Sequence, residues 1–149
     1  MSEFPIVAPA SNPQIVFAVI CFVMLAMLVF FAVLGLAMGH EKFQISSEGL
    51  RIAAFPYGRS IPARDLDVAG AQAMDLNVNS DYRLTRKTNG TGMPGYQSGW
   101  FRMANGNKAL AFVTDKKRVV CIPTRQDYTV LLSVENPREF LRVLQKTIR

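Results

Sequence analysis

Ile15 to Met38 is a run of 24 residues with no Asp, Glu, Lys, Arg, His, Asn or Gln. At about 1.5 Å rise per residue it makes a helix roughly 36 Å long. The hydrocarbon core of a bilayer is about 30 Å thick, so the run is long enough to cross it with some tilt. A helix apolar on every side suits lipid better than the surface of a soluble protein. The run also exceeds the roughly 7–15 apolar residues of a signal peptide. Residues 1–14 lack the basic side chains a signal peptide needs, and Glu3 is their one charged side chain. The sequence therefore predicts a short extracytoplasmic tail over 1–14, a retained single span over 15–39, and a domain over 40–149.

Charge sets the expected orientation. No Lys or Arg precedes the run, whereas Lys42, Arg51 and Arg59 follow it. The positive-inside bias then puts the C-terminal domain in the cytoplasm. That domain holds all 17 basic residues and every acidic residue but Glu3, which gives it a formal charge of +7 against +6 for the whole chain. An anionic leaflet attracts such a domain by about 1 kcal/mol per Lys or Arg near the surface. Nucleic acid is the other usual partner of a basic domain, and the tether beside lipid argues against it. Cys21 lies in the apolar run and Cys121 far along the domain. Both read as small apolar fillers without a disulfide, as suits a reducing compartment.

Beyond the run, short apolar segments alternate with period two at intervals of about ten residues. Lys42–Ser46 is followed by a turn at Ser47-Glu48-Gly49, after which Leu50 and Ile52 resume the alternation. Further strands are predicted over Asp67–Leu76, Tyr82–Thr88, Gly99–Met103, Lys108–Thr114, Arg118–Thr124 and Tyr128–Ser133. Asn105-Gly106 is a hairpin signal, since both residue types tolerate positive φ. Asp115-Lys116-Lys117 and Arg125-Gln126-Asp127 mark two more tight turns. Regular short strands imply an antiparallel barrel or sandwich.

The chain closes with a different pattern. Asn136-Pro137-Arg138-Glu139 places an N-cap, a proline at N1 and a glutamate at N3 able to reach back. In the predicted helix 137–148, Phe140, Leu141, Val143, Leu144 and Ile148 share one broad face. So short a helix is marginal alone. Its apolar face is expected to plug the open end of a small barrel.

Several segments together resemble the bacterial PH-domain (pleckstrin-homology-like) family, as found in small single-span membrane proteins. They are Phe43–Ile52 with its Ser46-Ser47-Glu48-Gly49 turn, Ile61-Pro62-Ala63-Arg64-Asp65-Leu66, Gly90–Phe101, and Asn136-Pro137-Arg138-Glu139-Phe140. The resemblance covers most of residues 42–147. It implies a mainly-β PH-like barrel of about seven antiparallel strands, closed by the C-terminal α-helix and preceded by the transmembrane helix. It also implies a bacterial plasma (inner) membrane location and a non-catalytic module that binds or scaffolds. Eukaryotic relatives of this fold often hold phosphoinositides through basic residues at the first hairpin. Here that hairpin has no Lys or Arg and carries Glu48, which argues against that mode.

The inventory of reactive groups agrees with a binding role. His40 is the one histidine, at the end of the run, so neither a histidine-based metal cluster nor a Ser-His-Asp arrangement is available in the domain. No catalytic residue, metal ligand or cofactor is expected. Asp65 and Asp67 lack a partner base and read as solvated turn residues. Gly90 to Gly99 lacks the lysine of a P-loop and reads as a mobile connection between strands. The candidate contacts to anionic lipid are Lys42, the cluster Arg83, Arg86 and Lys87, and the cluster Lys116, Lys117 and Arg118. In the run, Gly35 and Gly39 are spaced for close helix–helix approach, a possible route to a homo-oligomer. Two functions follow as expectations: a membrane-anchored accessory or scaffold module for a protein partner, and alternatively a module that binds anionic lipid head groups directly.

Overall fold

The computed structural model describes residues 12–37 and 41–148. Gly39, His40 and the tail up to residue 11 lie outside the described residues. The chain divides into two compact units, with the boundary between residues 38 and 39.

The first unit is helix α1, Pro13–Ala37. Asn12 precedes it and accepts the backbone N–H of Gln14 on its side chain at 3.2 Å. Proline follows at the first helical position, where its missing N–H costs nothing. No polar face develops along α1: Phe17, Phe22, Leu28, Phe31 and Leu36 all stand exposed. The helix is long and apolar enough to cross a membrane. Gly35 sits on it with open space beside its Cα.

Among the described residues, the second unit is a sandwich of nine strands in two sheets with one closing helix. Strands β1 (Lys42–Ser46), β2 (Gly49–Ala53) and β3 (Arg59–Pro62) form an antiparallel meander. Its register sets Phe43 opposite Ile52, and Leu50 opposite both Ile45 and Ile61. The second sheet contains β4 (Gln72–Met74), β5 (Leu84–Met93), β6 (Tyr96–Met103), β7 (Lys108–Val113), β8 (Val119–Pro123) and β9 (Tyr128–Ser133), in the order β4-β8-β9-β7-β6-β5.

The expected barrel is therefore not closed. After Pro62 the chain turns into a single 3₁₀ turn, Ala63–Asp65. Beside β3, side chains take the place of a ladder: the Arg59 guanidinium lies 5.5 Å from the Trp100 ring centroid and 5.8 Å from that of Tyr128. The strands are not all antiparallel either. β9 inserts between β7 and β8, pairing antiparallel with β8 and parallel with β7. Asp115-Lys116-Lys117 is consequently part of a crossing over β9, not a hairpin turn. Ser133 of β9 secures the crossing, accepting the N–H groups of Thr114 and Asp115 and donating to the Asp115 carbonyl. Arg125-Gln126-Asp127 does join an antiparallel pair.

Two cores result. The first lies between the sheets and includes Leu50, Ile52, Leu110, Phe112, Ile122 and Leu132. The second covers the other face of the larger sheet and includes Leu76, Phe101, Met103, Ala111, Val119 and Leu131. Burial on both faces explains why β7, β8 and β9 read as nearly unbroken apolar runs. Both cores are drawn wholly from residues after α1. Residues 41–148 are thus a folding unit in themselves.

Helix α2, Pro137–Thr147, packs against β1, β4 and β8. Asn136 caps it as expected, accepting the Glu139 N–H at 3.3 Å. Glu139 turns to Arg142 at 3.3 Å instead of back to the cap. Leu144 and Ile148 enter the first core and Phe140 and Leu141 border it, while Val143 stays exposed. The Asn105-Gly106 hairpin forms with positive φ at Gly106 alone (+84°). Asn105 contributes its side-chain oxygen instead, which accepts the Asn107 N–H at 3.0 Å.

Candidate functional site

The site is built on the β5–β6 hairpin. Gly90 to Gly99, expected as a mobile connection, is laddered strand on both sides of a turn at Pro94-Gly95. The glycines make this possible. Gly90 and Gly99 face each other, and a Cβ on Gly99 would stand 2.6 Å from the Gly90 Cα. Gly99 also has φ +118°, a conformation that other residues rarely adopt. Period-two alternation starts this strand at Gly99, three residues after the observed start of β6. Gln97, which shares its strand face with Phe101 and Met103, falls outside the predicted strand for that reason.

Two register shifts, between Leu84 and Arg86 and between Lys87 and Asn89, interrupt the alternation of β5. At the hairpin lies a groove of about 360 Å³ lined by Arg86, Lys87 and Lys116 together with Leu84, Gln97 and Phe101, among others. A smaller recess of about 180 Å³ shares Leu84, Gln97 and Lys116 and adds Arg83. Arg83, Arg86 and Lys87 thus line the same two cavities as Lys116, which lies some thirty residues further along the chain. The crossing over β9 is what delivers Lys116. Among the described residues, neither cavity is lined by Asp or Glu.

The remaining candidates lie apart from this groove. Lys117 and Arg118 border a different depression, beside Asp75 and the start of α2. Arg118 Nε donates to Asp115 Oδ2 at 2.8 Å. That hydrogen bond, with the Lys117 backbone N–H, holds the Asp115 carboxyl below its usual range. Lys42 is on β1, in the other sheet. Gly35 is on α1, and Gly39 lies outside the described residues.

A second polar cluster links β6 to the start of the domain. Tyr96 donates its hydroxyl to Glu41 Oε1 at 3.0 Å. Burial pushes the Glu41 carboxyl above its usual range, offset in part by the Tyr96 hydrogen bond. The Ser98 hydroxyl is buried nearby without a well-formed hydrogen bond. Cys121 is buried in the second core, and its thiol is pushed up to about 12 by burial, far from thiolate chemistry at neutral pH. Among the described residues no three His, Cys, Asp or Glu side chains group as metal ligands do.

The domain is a mainly-β sandwich closed by a capped C-terminal helix, with a basic groove on its β5–β6 hairpin. The family model described as Bacterial PH domain matches residues 41–148, nearly the whole domain. No curated protein and no solved structure matches the chain. The match spans well over half of the 149 residues, and the chain belongs to the bacterial PH domain family.

Proposed function

We propose that this protein is a non-catalytic, single-span protein of the bacterial plasma membrane whose PH domain, on the cytoplasmic side, binds anionic lipid head groups. The observation that carries the reading is the gathering of Arg86, Lys87 and Lys116 on one groove and of Arg83 with Lys116 on the recess beside it, neither lined by acids. Like charges gathered without counter-charges repel one another, and an anion relieves that repulsion. At about 1 kcal/mol per cation near an anionic leaflet, the four contribute roughly 4 kcal/mol. Helix α1 supplies the anchor, since apolar side chains on all its sides favour acyl chains over water.

Scaffolding of a protein partner is the other function open to a PH module. One route, addition of a peptide strand to a sheet edge, is poorly served by β5. That edge is bulged twice and carries Arg86 and Lys87, features that discourage strand addition. Head-group binding therefore has more in the geometry behind it.

Vesicle flotation of residues 41–149 at low salt tests the reading. The domain is expected to float with anionic vesicles and not with neutral ones. Arg86→Gln with Lys87→Gln should weaken binding about 30-fold, the equivalent of two cations. Equal flotation with neutral and anionic vesicles would refute it. Protease added to spheroplasts should spare the domain, and its digestion would reverse the orientation.

A further inference from the structure

We propose that the groove docks flat on an anionic bilayer surface, with Val78 and Met93 as two apolar tips that enter the head-group region on either side of it. The inference rests on the reading of the groove as a lipid site and adds how the bilayer, rather than an isolated head group, is engaged. Outside α1, the large apolar side chains exposed among the described residues are Phe55, Val78, Met93 and Val143. One of these four lines the basic groove, and a second is the chain neighbour of a residue lining the recess beside it. Met93 lines the groove and is 45 % exposed. Val78 follows Asn77, which lines the recess beside Arg83, and is 79 % exposed.

Neither tip is loosely held. The turn carrying Val78 is built on Asp75. Its carboxylate accepts the Asn77 N–H and side-chain amide at 2.8 Å each, and its carbonyl accepts the N–H groups of Val78 and Asn79. The next residue, Leu76, is buried in the second core and donates its N–H to the Lys116 carbonyl at 2.8 Å. The turn that carries Val78 is thereby tied, through Leu76, to a residue of the groove. Met93 closes the β5 ladder opposite Tyr96, at the Pro94-Gly95 turn. An ordered turn that holds a valine in water gains nothing for the fold. It does gain if the side chain leaves water when the cations beside it meet phosphate. Charge complementarity selects the surface, and the apolar tips favour a bilayer over a soluble anion. Of the acids in these segments, Asp75 and Asp115 are occupied by the turn's own donors and by Arg118, while Asp81 stands on the 3₁₀ turn between Val78 and Arg83.

The test measures binding of residues 41–149 to vesicles of phosphatidylcholine with phosphatidylglycerol, for the natural domain and for Val78→Ser with Met93→Ser. Both positions are exposed, so unchanged thermal unfolding serves as the folding control. The tip variant should bind about tenfold more weakly. The tip-dependent part should persist in high salt, which screens the charge-dependent part. An environment-sensitive dye on Val78→Cys should shift to the blue on anionic vesicles. An excess of soluble glycerol phosphate should fail to displace the domain. Equal binding by natural and tip-variant domains, or displacement by glycerol phosphate, overturns surface docking and leaves head-group binding standing. Failure of the natural domain to bind anionic vesicles at all overturns both. Equal binding to RNA or to an acidic polypeptide, insensitive to the tips, would also overturn the inference.

Discussion

Replacing Leu144 by alanine measures whether α2 is part of the core or a detachable surface. Leu144 is 0 % exposed and belongs to the first core, on a helix that touches β1, β4 and β8. Leu→Ala removes three carbons, worth about 2.4 kcal/mol at roughly 0.8 kcal/mol each. Incomplete collapse of the space left adds a cavity cost, for a total of roughly 3–4 kcal/mol. For a domain the size of residues 41–148, the unfolding entropy is about 0.23 kcal/mol/K, so the melting temperature should fall by roughly 13–17 °C. Val143, the adjacent residue, is 41 % exposed. Val143→Ala loses little burial and gains helix propensity, so its change should stay below about 1 kcal/mol. Thermal and denaturant unfolding of residues 41–149, followed by circular dichroism, compares the two. A Leu144→Ala loss of under about 1 kcal/mol, or equal losses for both variants, would refute the placement of α2 as the closing element of the core.

Three further outcomes are expected. Asn136→Ala removes the acceptor for the Glu139 N–H and should cost about 1 kcal/mol in the same unfolding assay; no change would mean the cap is dispensable. Gly99→Ala forces a side chain into a positive-φ position and against the Gly90 backbone, so it should cost more than about 2 kcal/mol and weaken anionic-vesicle binding; a folded, fully binding variant would contradict the tight hairpin. Glu41 has a folded-state pKa raised above its unfolded value by burial. Its contribution to stability is then fully present below the unfolded value and is lost as pH rises through the folded one. Glu41→Gln should therefore gain stability relative to the natural domain as the solution is taken from mildly acidic to neutral, and a difference independent of pH would show that the carboxyl is not buried against Tyr96.

The long apolar helix, the strand-rich domain and the terminal helix were legible in the residues because each depends on local chemistry. Twenty-four uncharged positions, period-two alternation, and Asn-Pro before a helical face express themselves without distant partners. Which residues belong to one groove was not legible. Periodicity could not register that β9 would slip between β7 and β8, and without that crossing Lys116 belongs with Lys117 and Arg118. The glycines of Gly90–Gly99 read as looseness, yet their missing side chains are what let two strands approach closely.

Val78 shows the same division. In the chain it is one more apolar residue between two asparagines, and only the hydrogen-bonded turn on Asp75 holds it in solvent. The residue pattern of this protein alone determined that one segment is a helix apolar on every side and that the rest must bury a β-rich core under a surplus of positive charge. The tertiary structure decided where that charge collects, because strand order and side-chain convergence arise from contacts between residues far apart in the chain, which no local pattern encodes.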